Sequence, residues 1–144
     1  MRRTPAFWDA SALVPCCVSE ITTSQVRAYL HRYDPVIWWA SIVEIHSALA
    51  RLLRSGGLDA KAASGAHDRL ARLRVGWSEI RPDEPVRDLA CQLVTMYPLR
   101  AGDSLQLAAA LIWCRQRPQG RTFICGDKRL GDAAEAAGFS VLQI

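Results

Sequence analysis

One alternation constrains the fold of this chain more than any other feature. Five short runs are apolar, β-branched or aromatic: "AFWD" at 6–9, "VIWWA" at 36–40, "WSEIRP" at 77–82, "TFICG" at 122–126 and "FSVLQI" at 139–144. The stretches between them switch to helical spacing, most clearly at 41–54, where Ile42, Ile45, Leu49, Leu52 and Leu53 recur every three or four residues. Runs this short and apolar read as strands buried on both faces, and Asn-Gly hairpin signals are absent. The pattern predicts an α/β protein whose mostly parallel central sheet carries helices on both faces. The other expected helices cover 22–33, 58–74, about 84–96, 101–116 and 128–137. Gly56-Gly57, Pro98, Pro118 and Gly138 punctuate them. Ser11 and Pro15 mark a turn or helix start after the first strand.

Length and composition add limits. The 144 residues suit one domain spanning 1–144, with no linker, repeat or low-complexity segment. No apolar run is long enough for a bilayer. The basic start Met1-Arg2-Arg3 meets Asp9 too soon for a secretion signal. A cytoplasmic protein without membrane attachment is the expectation. Five cysteines, an odd number without a CxxC pair, read as free thiols, and His31, His46 and His67 show no zinc-ligand spacing with them.

The sequence places four acids where a parallel sheet forms sites, beyond the carboxyl ends of its strands. Asp9 closes the first strand run and Asp127 follows the fourth. Asp103 stands at a helix start. Glu44 lies in the first turn after the second strand, off the apolar stripe of Ile42, Ile45 and Leu49. Each has a plain alternative: Asp9 and Asp127 as helix caps, Asp103 with Gln106 as a capping box, and Glu44 as a favourable charge at a helix N-terminus. Joint placement argues for more. Two carboxylates about 5 Å apart repel by roughly 3 kcal/mol at an effective dielectric of about 20. Several such pairs would consume much of a stability of about 5–15 kcal/mol. Protonation or a cation must offset that repulsion. Oxygen donors without His or Cys favour Mg²⁺ or Mn²⁺, ions suited to activating water against a phosphodiester. With 18 basic and 14 acidic residues the net charge is +4. Setting four acids aside leaves 18 against 10, a basic body suited to a polyanion. Arg100, Lys128 and Arg129, in or beside the acidic motifs, are candidates for holding phosphates. The basic helices around Arg51, Arg69 and Arg72 read as plain surface.

The segments "FWDASALV" (7–14), "LRAGDSLQLAAAL" (99–111) and "FICGDKRLGDAAEAAGFSVL" (123–142), with the helix carrying Glu44, resemble the PIN-domain family. Within it they are most similar to VapC-type toxins of bacterial type II toxin–antitoxin pairs. The resemblance implies an α/β/α sandwich and a Mg²⁺- or Mn²⁺-dependent endoribonuclease. It makes Asp9, Glu44, Asp103 and Asp127 the acidic quartet, with Asp127 open as an outer ligand. Ser11 becomes a small polar residue that bonds Asp9 or substrate. It also implies an RNA substrate, a homodimer and a cognate VapB-type antitoxin. Two positions depart from the pattern. Cys125 stands where Thr or Ser is usual, and a thiol is a weak hydrogen-bond partner. Gln106 stands where many relatives carry His. A catalytically silent module that binds RNA or protein through the same cleft is the alternative, and a nuclease for structured DNA is a further one.

Overall fold

The computed structural model describes residues 2–144. Strands β1 (Thr4–Trp8), β2 (Tyr33–Trp38), β3 (Ser78–Ile80), β4 (Thr122–Cys125) and β5 (Ser140–Gln143) form one sheet in the order β3-β2-β1-β4-β5, and every pairing is parallel. The expected mostly parallel sheet is therefore parallel throughout. Each crossover carries helices: α1 (Ala10–Cys17) and α2 (Thr23–Arg32) after β1, and α3 (Ser41–Arg54) and α4 (Ala60–Val75) after β2. α5 (Glu84–Met96) and α6 (Ala101–Trp113) follow β3, and α7 (Lys128–Ala137) follows β4.

The two-residue period of the strands splits the core into two layers. Ala6, Trp8, Ile37 and Ile124 pack against α1–α4, while Phe7, Val36, Trp38, Phe123 and Cys125 pack against α5–α7. The result is an α/β/α sandwich. Phe7 and Phe123 stack across β1 and β4 with centroids 5.3 Å apart. No described helix is long and apolar enough to cross a membrane.

Several local expectations shift. β2 spans Tyr33–Trp38 rather than 36–40, and Tyr33 leaves the preceding helix for the strand. Pro35 is the reason: it disfavours helix at Asp34 and presets an extended chain. It is tolerated because β3 pairs only with Val36–Trp38, so no ladder bond is lost beside it. Trp39 falls in the turn and is half exposed. Pro15 lies inside α1 instead of marking its start. α6 stops at Trp113, short of 116, where Arg115 and Gln116 turn left-handed.

Strand order reverses at β1, whose neighbours are β2 on one side and β4 on the other. The chain leaves β1 into α1 on one face and leaves β4 into α7 on the other. This opens a crevice beyond the ends of β1 and β4, the place where open α/β sheets take ligands.

Candidate metal centre

The crevice is a cleft of about 510 Å³, and Asp9, Glu44, Asp103 and Asp127 all line it. Four separate segments supply them: the β1–α1 corner, the first turn of α3, the first turn of α6 and the β4–α7 corner. Ser11, Arg51 and Arg100 share the walls.

Asp9 is only 4% exposed. It caps α1, accepting the Ser11 N–H at 3.2 Å and the Ser11 hydroxyl. The same hydroxyl accepts the Gly126 N–H at 2.8 Å, and the Asp9 N–H donates to Ile124 O at 2.9 Å. Ser11 thus ties the end of β1 to the end of β4 and sets Asp9 beside the Asp127 corner. Asp127 caps α7, accepting the Leu130 N–H at 2.9 Å. The capping readings of both aspartates hold, and both side chains still line the cleft.

Glu44 is held from behind. The Gln106 amide donates to Glu44 Oε2 at 3.2 Å and to Ser41 Oγ at 2.8 Å. Gln106 and Ser41 are fully buried. The expected capping box between Asp103 and Gln106 does not form: Arg100 is the N-cap of α6, so Asp103 sits inside the first turn and Gln106 points to α3. A lone amide on a helix with Leu105, Leu107 and Ala108–Ala110 was the signal for this role, since a buried polar group needs a partner.

The carboxylates feel one another. Burial pushes Asp9 up to about 6, opposed by its Ser11 bonds and reinforced by the Asp103 charge. Burial first, then the Asp9 charge, pushes Glu44 up to about 7; its Gln106 bond pulls the other way, and Asp103 raises it further. Asp103 is also raised, by burial and Asp127, with Arg100 and Arg129 partly offsetting this. No ion pair among the described residues neutralises any of the four.

The other residues read from the sequence divide. Ser11 and Arg100 line the cleft; Arg129 lies near enough to ease the charge of Asp103 without lining it. Lys128 is not in the wall and instead pairs with Asp132 at 3.1 Å on the exposed side of α7. Cys125 turns away from the cleft, with Sγ 3.5 Å from Asp127 O and 3.7 Å from Gln143 Oε1. Burial pushes its thiol up to about 12. Arg51, read from sequence as plain surface, stands in the cleft wall two helical turns beyond Glu44.

Among the described residues no three His, Cys, Asp or Glu side chains stand close enough to share one ion directly. The donor set nevertheless suits a hard, hydrated cation. Mg²⁺ keeps several waters and takes one or two carboxylates directly, so spaced oxygens around a polar cleft accommodate it. Asp9, Glu44 and Asp103 could supply those oxygens.

Three solved structures share this architecture. FitAcB from Neisseria gonorrhoeae aligns with a TM-score of 0.64 at 18% identity, covering 95% of this chain and 96% of that one. PAE2754 from Pyrobaculum aerophilum aligns at 0.66 and 17%, covering 96% and 89%. FitAB bound to the IR36 DNA fragment aligns at 0.64 and 18%, covering 96% and 94%. The chain has the PIN-domain fold. No family model and no curated protein matches the sequence, so the likeness lies in the fold.

Proposed function

We propose that this PIN-fold chain is an endoribonuclease dependent on Mg²⁺ or Mn²⁺, the toxin of a toxin–antitoxin pair. The observation that carries the reading is the convergence of four acids from four segments on one cleft, with three of them held above their ordinary pKa and none relieved by an ion pair. Asp9, Glu44 and Asp103 would hold the cation, and Asp127 would complete its surroundings. Bound there, the ion would supply charge stabilisation at the phosphoryl oxygens and an activated water. The protein's own part is positional. Ser11 fixes Asp9, Gln106 fixes Glu44, and Arg100 at the rim offers a guanidinium to a phosphate.

A VapB-type antitoxin would silence the cleft, and the active form would be a homodimer. The likeness in fold to FitAB, solved bound to DNA, supports the first of these, because a toxin held by a DNA-binding partner would be carried into such an assembly. A silent RNA-binding module is the second reading, favoured by the spacing of the acids short of direct ligation.

Antitoxin-free protein incubated with structured RNA separates the two. The nuclease cuts with Mg²⁺, and neither with EDTA nor as the D9N variant. Retained RNA binding without cleavage in any sample supports the silent module.

A further inference from the structure

The carboxyl edge of the sheet gathers acids, and the opposite, amino edge gathers arginines. Arg3 stands directly before β1, Arg32 before β2 and Arg121 before β4. α2 and α4 run back to this edge and bring His31 and Arg32, and Arg72 and Arg74, in their last turns. Two hollows lie there and share His31. One, of about 360 Å³ between α2 and α4, is walled by Arg3, Arg27 and Arg72 around Leu30 and Leu73. The other, of about 240 Å³, is walled by Arg2, Arg32 and Tyr33.

No Asp or Glu lines either hollow. Asp34 pairs with Arg3 at 2.7 Å, and the Arg3 guanidinium also donates to Leu30 O at 3.1 Å, which fixes that side chain. Arg2, Arg27, Arg32 and Arg72 are exposed and join no ion pair among the described residues. Cations in the last turn of a helix complement its dipole, which accounts for Arg32 and Arg72. It does not account for Arg27, in the second turn of α2, or for Arg2, outside any helix. Four guanidiniums without a carboxylate among them repel one another, and an anion of repeating charge relieves that repulsion.

We propose that the amino edge is a second nucleic-acid surface, on which Arg2, Arg27, Arg32 and Arg72 hold the phosphates of a double-stranded RNA stem. Arg3 and Asp9 lie six residues apart along β1, about 20 Å at 3.3 Å per residue, so this surface is remote from the acidic centre. The choice of RNA rests on the nuclease reading, and it requires a substrate long enough to engage both edges. Charge density favours a nucleic-acid duplex, with one charge per about 1.7 Å of axis, over an extended acidic peptide, with at most one per about 3.3 Å. A stem is favoured over unpaired bases because the one aromatic ring in these hollows other than His31, Tyr33, is already covered by the Arg32 guanidinium at 5.5 Å. Contact with phosphates and shape, rather than base stacking, is how duplex RNA is held.

The test is binding by the full-length D103N protein, in which cleavage is off, read by fluorescence anisotropy across a salt series. The probes are an RNA hairpin with a twelve-base-pair stem, a single strand of the same length, a dinucleotide and decaglutamate. Adding R27A and R72A together should weaken the hairpin about tenfold and lower the slope of log K against log salt by about 1.5, two phosphate contacts. R27K with R72K should retain the slope. The dinucleotide, too short to leave the cleft, should bind both proteins alike, and the single strand should bind the D103N parent more weakly than the hairpin. In the cleavage-competent protein the two alanines should raise KM for the hairpin about tenfold and leave kcat within twofold. Unchanged hairpin affinity and slope would overturn the proposal, and so would a single strand that binds tighter than the hairpin. An equal loss for the dinucleotide would overturn it as a general charge effect, and an equal loss for decaglutamate would assign the edge to an acidic protein partner. Hairpin binding that depends on Arg27 and Arg72 without cleavage by the unmodified protein would uphold the surface and sink the nuclease reading; cleavage without that dependence would do the reverse.

Discussion

Replacing Asp9 by asparagine separates two roles of one side chain. As a helix cap, Asp9 accepts the Ser11 N–H and hydroxyl. Asparagine ranks with aspartate at N-caps, so the D9N variant keeps that role. As a member of the acidic cluster, Asp9 is pushed from 3.8 up to about 6, first by burial and then by the Asp103 charge. A carboxyl with a higher pKa folded than unfolded stabilises the fold at pH values below the unfolded pKa. That stabilisation is lost as pH rises through the folded pKa. At 1.36 kcal/mol per pH unit, Asp9 alone removes about 3 kcal/mol from the metal-free protein between pH 4 and pH 7. The D9N variant escapes this loss. For a chain of this size 1 kcal/mol shifts the melting temperature by roughly 3 °C. In EDTA at pH 8 the variant should therefore melt about 5–10 °C above the unmodified protein, and at pH 4 the two should coincide. Adding Mg²⁺ should raise the unmodified protein and leave D9N unmoved. Thermal melts followed by circular dichroism at both pH values decide the matter. A variant that melts below the parent at both pH values would refute the reasoning, because Asp9 would then be a structural cap and no part of a repelling cluster.

Three further outcomes follow from the same geometry. Manganese uptake at pH 6.5 should release about one proton per ion, since Asp9 and Glu44 are pushed up to about 6 and about 7 and must ionise to bind; calorimetry in two buffers at pH 6.5 should detect this, and at pH 8.5 should detect none. Gln106→Leu unties Glu44 and should weaken manganese binding about 10–100-fold by electron paramagnetic resonance, whereas an affinity within twofold of the parent would make Gln106 mere packing. Of the five cysteines, Cys91 alone is exposed, while burial pushes Cys16 and Cys125 up to about 12 and Cys17 up to about 11. A thiol reagent at pH 8 should label one thiol in the native protein and all five after denaturation.

The legible parts of this molecule were those governed by local rules. α3 could be bounded at 41–54 because its apolar period begins after a turn and ends at Gly56-Gly57. The two aspartates beyond β1 and β4 could be placed on one edge because buried parallel strands read as plain apolar runs. What stayed hidden depended on partners distant in sequence. Asp103 and Gln106 match a capping box at i and i+3, and only the N-cap at Arg100 decides against it. Arg51 looks like any other cation of a basic helix until α1 packs beside α3 and makes a trough. Lys128 could have been set aside from sequence, because Asp132 stands four residues on, at pairing distance along one helix face.

Crystals of the full chain grown with Mn²⁺, with data collected at the manganese edge, test the shared ion site directly. An anomalous peak should lie in the cleft, about 2.0–2.2 Å from carboxylate oxygens of at least one of Asp9, Glu44 and Asp103 and within water-bridged reach of the others. A map with no peak in the cleft at millimolar manganese, at a pH where both Asp9 and Glu44 are ionised, would contradict the account.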